Sequence, residues 1–385
     1  MLSVGKKILF WSLLACLGTA ALSLVFSPVE DPTLKFLKLI GLFELLLIYT
    51  LIVNKVVKVN EIFKVLTWSM SLQAVIAILQ LLMNHSLGLG FLGEPSLGSS
   101  VAHIAKLDLG SWTLIRSYGT FSHPNILGGF LAISLLGTLL YPPKSNLLRN
   151  SLVAIQFLGL VCSFSRSALL GLIVGILMLS YRSVPLIKEK YNRILSYGIF
   201  LVMAIEILVL LFTRPLPLTT DPAVQIRIEG YKMAGHIFMT HPLGVGWNLE
   251  TLFLDENPLR NWMPWDYQPT HNLFLLVWVE TGVQGLVAFL FLIGCTVQKL
   301  LEHEKVLGTH HEESKKNFFF SMGLIILSTG LVDHYWLTLK PALFLSVVLF
   351  AAISRFLEDP VPIKAIKKPG SNHPKKLKPI LESPK

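Results

Sequence analysis

Long apolar runs separated by short polar segments make up most of the 385-residue chain. The runs are close to the roughly 20 residues that an α-helix needs to cross a bilayer. We place them at about 8–26, 34–53, 62–83, 124–141, 147–164, 167–181, 194–212, 272–297, 317–334 and 339–356. The pattern predicts an all-α fold: a polytopic integral membrane helical bundle of about ten transmembrane helices, formed by residues 1–356.

The composition agrees with this class of protein. Hydrophobic residues make up 53% of the chain, and charged residues only 15%, against roughly 25% in soluble domains. Cys16, Cys162 and Cys295 all lie inside apolar runs and have no metal-ligand spacing. We therefore expect no metal and no cofactor.

Lysine and arginine set the expected orientation, because cytoplasmic loops are enriched in both. An even number of spans puts both termini on one side. If that side is the cytoplasm, its loops and termini hold 23 of the 33 lysines and arginines. Residues 357–385 then form a basic cytoplasmic tail, predicted to be disordered and close to anionic lipid headgroups. The net charge of +10 therefore reflects membrane topology, with membrane lipids as expected partners, and no motif indicates nucleic acid.

Two segments allow a second interpretation. If 147–181 were one span, Arg166 of "SFSRS" would lie in mid-bilayer at a cost of about 2.5–3.5 kcal/mol, so two short spans with Arg166 at an outer turn are favoured. Lys6 and Lys7, the apolar run after them and "GTA" resemble a signal peptide. The length of that run and the acidic "SPVEDP" that follows favour an uncleaved first span.

A large, partly helical extracytoplasmic loop is expected at 213–270. Its segment "VQIRIEGYKMAGHIFM" has apolar residues at helical spacing and predicts a helix at the membrane interface. Glycines in "HPLGVGWN" then break the helix, and a segment rich in Trp, Tyr and Pro follows. A loop of this length is usually functional.

Cationic and histidine side chains collect at the expected outer face, which the positive-inside rule should deplete. They are Arg116, His123, Arg166, Arg227, His236, His241, His271 and His334, with Asn125 and Asp333 beside them. Guanidinium groups match phosphate oxygens, and a histidine can accept a proton from an attacking hydroxyl. Taken singly, Arg166 as a helix cap, Arg227 as a snorkelling side chain and His271 as a helix-start residue remain open interpretations.

The substrate class follows from the location. Nucleotide sugars are absent outside the cytoplasm, and the chain contains no GxGxxG, P-loop or DxD motif. A lipid-linked diphosphate, with its diphosphate at headgroup depth, fits an outer arginine and histidine cluster best.

Five motifs in order, "GTFSHPNILGGF", "SFSRSALLG", "IRIEGYKMA", "HPLGVGWN" and "HNLFLLVWVETGVQGL", resemble the O-antigen ligase and O-antigen polymerase family over about residues 110–295. The resemblance implies a metal-independent, inverting glycosyltransferase of the bacterial inner membrane. It would move a glycan from a polyprenyl-diphosphate carrier to a hydroxyl of a glycan or lipid-core acceptor at the extracytoplasmic face.

The resemblance also implies residue roles. His271 would be the base that activates the acceptor, and Arg227 and Arg166 would hold the diphosphate and stabilise its charge. The substrate-binding residues would be Arg116, His123, Asn125, His241, Asn272 and Glu280. Asp333 and His334 would orient His271 or have no chemical role, and the buried Glu44 and Glu206 have no evident partner.

Three alternatives to a ligase are open. An O-antigen or polysaccharide polymerase takes the same donor and differs in its acceptor, and protein glycosylation is a third choice of acceptor. From another class, a transporter of lipid-linked or anionic solutes would use the intramembrane carboxylates for ion coupling. Against a transporter, the chain has no internal repeat, and its cations lie at one face instead of the midplane.

Overall fold

The computed structural model describes residues 3–108, 110–182, 222–256, 267–303 and 310–358. The helices are α1 Lys7–Val25, α2 Pro32–Val53, α3 Val59–Met83, α4 Pro124–Leu140, α5 Asn146–Cys162, α6 Arg166–Arg182, α7 Pro222–Thr240, α8 Glu250–Glu256, α9 Leu273–His303, α10 His310–Gly330, α11 Tyr335–Thr338 and α12 Lys340–Glu358. A 3₁₀ turn at Gly90–Leu92 and two strands, β1 Lys106–Asp108 and β2 Thr113–Ile115, complete the described elements.

Helices occupy nine of the ten segments predicted as spans, and the other, 194–212, lies outside the described residues. Among the described helices, α1, α2, α3, α9 and α12 are long and apolar enough to cross a membrane. The shorter apolar helices α4, α5 and α6 lie between them in sequence. The protein is therefore a helical membrane protein, as predicted, and the count of ten spans stays a prediction.

The helix break predicted at "SFSRS" is present. Helix α5 ends at Cys162 and α6 begins at Arg166, with Phe164 in the left-handed region at φ 47°. Arg166 therefore stands at the first position of a helix, at the end of the bundle, and not in the middle of a span.

Two large hydrophobic clusters form the interior of the described part of the chain. One joins α3, α4, α5, α6, α10 and α11, the other joins α2, α7 and α8, and α1, α9 and α12 contribute to both. Close contact at α4 depends on Gly128, where an added Cβ would lie 2.8 Å from the Ser165 Cβ. Small residues at helix crossings are typical of membrane bundles, because there the helices associate by close packing.

The two ends of the described chain lie at the same end of the bundle. The Ser3 hydroxyl donates to the Glu358 carboxylate at 2.6 Å, and the Tyr49 hydroxyl at the end of α2 donates to the Val4 carbonyl at 2.9 Å. An even number of crossings requires this arrangement. The helix ends that carry the predicted site residues, at the start of α4, α6 and α9 and after α10, lie at the opposite end.

The connections at that opposite end are partly ordered. Within the predicted outer loop 213–270, the described residues form α7 and α8, while 257–266 lie outside the described part, as do Glu206 and the tail from 359 onward. The all-α prediction missed one small antiparallel hairpin, in which Leu107 pairs with Leu114. Its strands are three residues each, too short for their alternation to stand out from the surrounding loop.

Candidate active site

Arg116 begins a buried polar network that joins three separate helix ends. Its Nε donates to the Ser163 carbonyl at 2.9 Å, and its Nη2 donates to Asn125 Oδ1 at 2.7 Å. The Asn125 amide in turn donates to Asp333 Oδ2 at 2.9 Å. Since all four residues are buried, this chain fixes the ends of α4, α5 and α10 against one another.

His123 is the N-cap residue of α4. Its Nδ1 accepts from the Asn125 backbone amide at 3.2 Å, and Pro124 fills the first helical position. Burial, the Arg116 guanidinium, His271 and Arg227 lower the pKa of His123 to about 3, against an opposing effect of Asp333. His123 is therefore neutral at physiological pH and lies in the same electrostatic environment as Arg227 and His271.

His271 lies directly before α9, with its ring against that of His334. The two ring centroids are 4.8 Å apart at an interplanar angle of 87°. Burial, His334 and Arg227 lower the pKa of His271 to about 4, although Asp333 and a hydrogen bond to the Pro269 carbonyl act the other way. Because one ring nitrogen donates to Pro269, the other is left with its lone pair available.

Asp333 and His334 follow α10 and complete the cluster. The His334 backbone amide donates to Asp333 Oδ1 at 2.9 Å, and His334 Nδ1 lies 2.8 Å from the Thr338 hydroxyl. Burial opposes ionisation of Asp333, but His334 and the Asn125 amide, with His271, hold the pKa of this carboxyl below its usual range. Asp333 is therefore an ionised carboxylate that lies among arginines and neutral histidines.

Helix α7 brings Arg227 and Tyr231 to this cluster. The Tyr231 hydroxyl donates to the His271 carbonyl at 3.1 Å, so the helix docks on the segment that carries the histidine. The charge of Arg227 acts on His123, His271 and His334 alike. A narrow cleft lined by residues of α7, α8 and 267–271 reaches His271 from this side.

Asn272 is the N-cap residue of α9. Its Oδ1 accepts from the backbone amides of Phe274 at 3.0 Å and Leu275 at 3.1 Å. Its Nδ2 donates to the Leu331 carbonyl at 2.9 Å. Asn272 thus holds the His271 segment beside the end of α10, which is a structural task in addition to any contact with substrate.

Glu250 is a site residue that the sequence analysis missed. Its carboxylate accepts from the Thr270 backbone amide at 2.9 Å and from the Thr270 hydroxyl at 2.5 Å. Burial raises the pKa of Glu250 to about 7, while the two hydrogen bonds from Thr270 oppose that shift. The only sequence signal was an acidic residue at the first position of a short helix, which is common at helix starts.

Glu280 and His241 do not belong to the cluster. The Glu280 carboxylate accepts from the backbone amides of Asn248 and Glu250 and so caps α8. The His241 ring packs edge-on against Phe253 at 4.9 Å, next to Thr240. Both residues help to shape the loop that follows α7. Glu44, for which the sequence offered no partner, forms an ion pair with Lys340 at 2.7 Å.

The remaining predicted residue, Arg166, is half-buried at the first position of α6. It comes three residues after Ser163, whose carbonyl binds Arg116. The structure therefore gathers Arg116, His123, Asn125, Arg227, His271 and Asn272 with Asp333 and His334, and it places Arg166 in the adjoining hairpin.

The fold and the site define a helical membrane protein with a polar cluster at one end of the bundle, in which arginines and neutral histidines surround the Asp333 carboxylate. Residues 151–290 match the family described as O-antigen ligase. The match confirms the resemblance inferred from the motifs and contains Arg166, Arg227, His271 and Glu280. A comparison with curated proteins finds no match. This part of the chain is thus similar to the O-antigen ligase and polymerase type of glycosyltransferase.

Proposed function

We propose that this protein is a ligase that transfers a glycan from a polyprenyl diphosphate to an acceptor hydroxyl at the extracytoplasmic face of the bacterial inner membrane. The observation that carries the proposal is the neutral, oriented His271 among arginines, at the end of the bundle opposite to Ser3 and Glu358. The match of 151–290 to the O-antigen ligase family supports the reaction class.

His271 takes the role of general base. Its unprotonated ring nitrogen accepts the proton of the acceptor hydroxyl as the oxygen attacks the anomeric carbon of the donor sugar. Asp333, which raises the pKa of His271, favours the imidazolium that forms. The base is then regenerated when that proton is released to solvent.

Arg227 and Arg166 bind the diphosphate. As the anomeric carbon–oxygen bond breaks, negative charge grows on the leaving diphosphate, and guanidinium groups stabilise it more strongly than they stabilise the bound donor. Arg116 supports the site through Ser163 and Asn125. A single displacement of this kind inverts the anomeric configuration and needs no metal.

The transporter alternative depended on unpartnered intramembrane carboxylates. Among the described residues, Glu44 pairs with Lys340 and Glu280 caps α8, so both have structural tasks. Within the family, the choice between ligase and polymerase lies in the acceptor. We propose the ligase, with the lipid core as acceptor, and the experiment below tests both.

The test uses purified protein in detergent with a fluorescent glycan on polyprenyl diphosphate, EDTA, and two acceptors, a lipid core and a second lipid-linked glycan. We expect transfer with release of polyprenyl diphosphate in the presence of EDTA, and loss of at least about 10²-fold in His271→Ala and Arg227→Ala. His236→Ala, on an exposed position of α7, is the matched control and should keep activity.

The two acceptors separate a ligase from a polymerase, since only the productive acceptor becomes glycosylated. Transfer to the lipid-linked glycan alone would replace the ligase with a polymerase. If no acceptor is glycosylated while sealed vesicles accumulate the lipid-linked glycan, the protein is a transporter.

A further inference from the structure

A deep apolar cleft lies between α9, α10 and α12, with a volume of about 160 Å³. Three of its lining residues are almost wholly buried: Leu300 at 2% exposure, Phe319 at 3% and Trp336 at 1%. The cleft is therefore a recess in the bundle, unlike the neighbouring lipid-facing surface of α9, where Val287 is 61% exposed.

The lining of the cleft is apolar, and the few polar groups in it already have hydrogen-bond partners. Its two hydroxyl groups bond within their own helices: Thr296 donates to the Leu292 carbonyl at 2.7 Å, and Ser346 donates to the Ala342 carbonyl at 3.0 Å. The Trp336 indole N–H is directed to the Thr329 hydroxyl at 2.7 Å. None of the described residues that line the cleft is charged. The cleft therefore offers no hydrogen bond or charge to a lipid headgroup, but it can bury a hydrocarbon chain.

The position of the cleft connects it to the polar site. Leu273 lies at one end of it, directly after His271 and Asn272, and Trp336 follows Asp333 and His334 by two to three residues. At the other end lie Leu300, Phe319 and Ile353, toward the chain termini. In the second half of α9 the lining runs from Phe289 to Leu300, roughly 16 Å along the helix axis.

We propose that this cleft binds the polyprenyl chain of the lipid-linked donor, starting at Leu273 and Trp336 and continuing along α10. The proposal rests on the proposed function, because it assigns the hydrocarbon part of the same substrate. A diphosphate held beside His271 and Arg227 places the first isoprene units at the mouth of the cleft. Burial of the following units gives the enzyme affinity for a long tail in addition to its affinity for the charged group.

Gly323 offers a direct test. It lines the cleft on α10, and a Cβ added there meets no atom within 4 Å, so Gly323→Trp fills the cleft without a clash at its base. Gly294 on the facing α9 also has no atom within 4 Å of an added Cβ, but it does not line the cleft. Gly294→Trp is therefore the matched control.

The assay compares two donors with the same glycan, one on a full-length polyprenyl diphosphate and one on geranyl diphosphate. For Gly323→Trp we expect kcat/KM to fall about tenfold or more with the long donor and to stay within about twofold with the geranyl donor. Gly294→Trp should match wild type with both. An equal loss with both donors, or no loss with either, would overturn the tail site.

A binding measurement keeps the proposal testable even if Gly323→Trp does not fold. Wild-type protein is labelled with a polyprenyl diphosphate that carries a photoreactive group in its tail. We expect labelled peptides from α9, α10 and α12, and no competition from excess phospholipid. Labelling elsewhere, or equal competition by phospholipid, would mean that ordinary acyl chains occupy the cleft. The proposed function is tested separately, because labelling does not require transfer. If wild-type protein transferred glycan from neither donor, the proposed function would be refuted whatever the labelling result.

Discussion

His271 combines three features that its proposed role as general base requires. The hydrogen bond to Pro269 selects one tautomer, the contact with His334 restricts the ring, and burial keeps the ring neutral. A histidine free in water has a pKa of about 6.5 and would be partly protonated near neutral pH. At this position the imidazole is in the basic form throughout the physiological range.

The acid limb of the pH–rate profile tests this environment. The pKa of His271 is lowered to about 4, so the base stays deprotonated above that value, and kcat/KM, which reports the free enzyme, should fall only as pH drops through about 4. Arg227→Gln removes a positive charge that lowers this pKa, so its residual activity should show the limb at higher pH. His236→Gln should leave the limb in place. A wild-type limb near pH 6.5 would contradict a buried, neutral base.

In the proposed mechanism, Glu250 positions His271 through its hydrogen bonds to Thr270. Glu250→Ala leaves the Thr270 amide and hydroxyl without their buried acceptor, at a cost of about 1–3 kcal/mol. We expect kcat to fall about ten- to a hundredfold with little change in KM, and Glu250→Gln, which keeps one acceptor oxygen, to recover part of it. The control is Glu256→Ala at the exposed end of α8. If Glu250→Ala and Glu250→Gln lowered the stability of the protein equally and left kcat unchanged, Glu250 would only support the fold.

The break in α9 is the principal feature at the scale of elements. Gly282 has φ 72° and ψ −178°, which opens the helix and leaves carbonyl groups without helical partners. The loop after α7 takes them up: the Val245 amide donates to the Val279 carbonyl at 2.9 Å and the Gly246 amide donates to the Glu280 carbonyl at 3.0 Å. Irregular backbone is tolerated at membrane depth when it is paired in this way inside the protein.

Gly282→Ala should disrupt this junction. An added Cβ would lie 2.6 Å from the Pro242 carbonyl oxygen, and this backbone conformation, which is essentially restricted to glycine, costs another residue about 1–3 kcal/mol. We expect a lower midpoint of thermal unfolding in detergent and reduced transfer, because α8 and its contact with Thr270 depend on the loop. Gly294→Ala in the same helix meets nothing within 4 Å and is the control. Unchanged stability in Gly282→Ala would show that the break is not needed.

The sequence predicted where the helices lie along the chain more accurately than it predicted where each helix begins and ends. The apolar runs locate α2 and α4 within two residues, because a run of apolar residues is itself the reason why the segment is buried in lipid. Helix α10, predicted from 317, begins at His310, since a helix continues into polar residues that a hydropathy pattern excludes. The kink at Gly282 was not predicted, because single glycines are common in membrane spans. Only the fold shows that a distant loop pairs with the carbonyl groups that the kink exposes.

At the scale of the whole molecule, the buried histidines should make stability depend on pH. The pKa values of His123 and His271 in the folded protein, about 3 and about 4, are below the value of about 6.5 for an unfolded chain. The unfolded state therefore binds more protons below pH 6.5, and stability decreases as pH falls from about 6.5 toward 4. Asp333, whose pKa is also lowered, extends the loss to still lower pH.

The corresponding measurement is the midpoint of thermal unfolding in detergent at pH 7 and pH 4.5. We expect a clear decrease for wild type and a smaller one for His123→Gln, which cannot take up that proton. His236→Gln, at an exposed position, should behave as wild type. A wild-type midpoint that is independent of pH over this range would contradict the burial of these rings.

Most residues of the candidate site could be predicted from the sequence, but the hydrogen bonds between them could not. Topology alone brought Arg116, Arg227 and His271 to one face, and the family motifs gave them roles. The bond between Asn125 and Asp333 joins residues 208 positions apart, and no local pattern encodes such a pairing. Glu280 was assigned to the substrate because it is an acid within a span, whereas its partners are backbone amides of a loop that only the fold brings near.

The most direct test of the whole account is the anomeric configuration of the product, measured by NMR on glycan transferred by the purified protein. A single displacement, with His271 as base and the diphosphate leaving between arginines, predicts that the transferred sugar carries the configuration opposite to that of the donor. Retained configuration would require a second nucleophile on the enzyme or the substrate and would contradict the role assigned to His271.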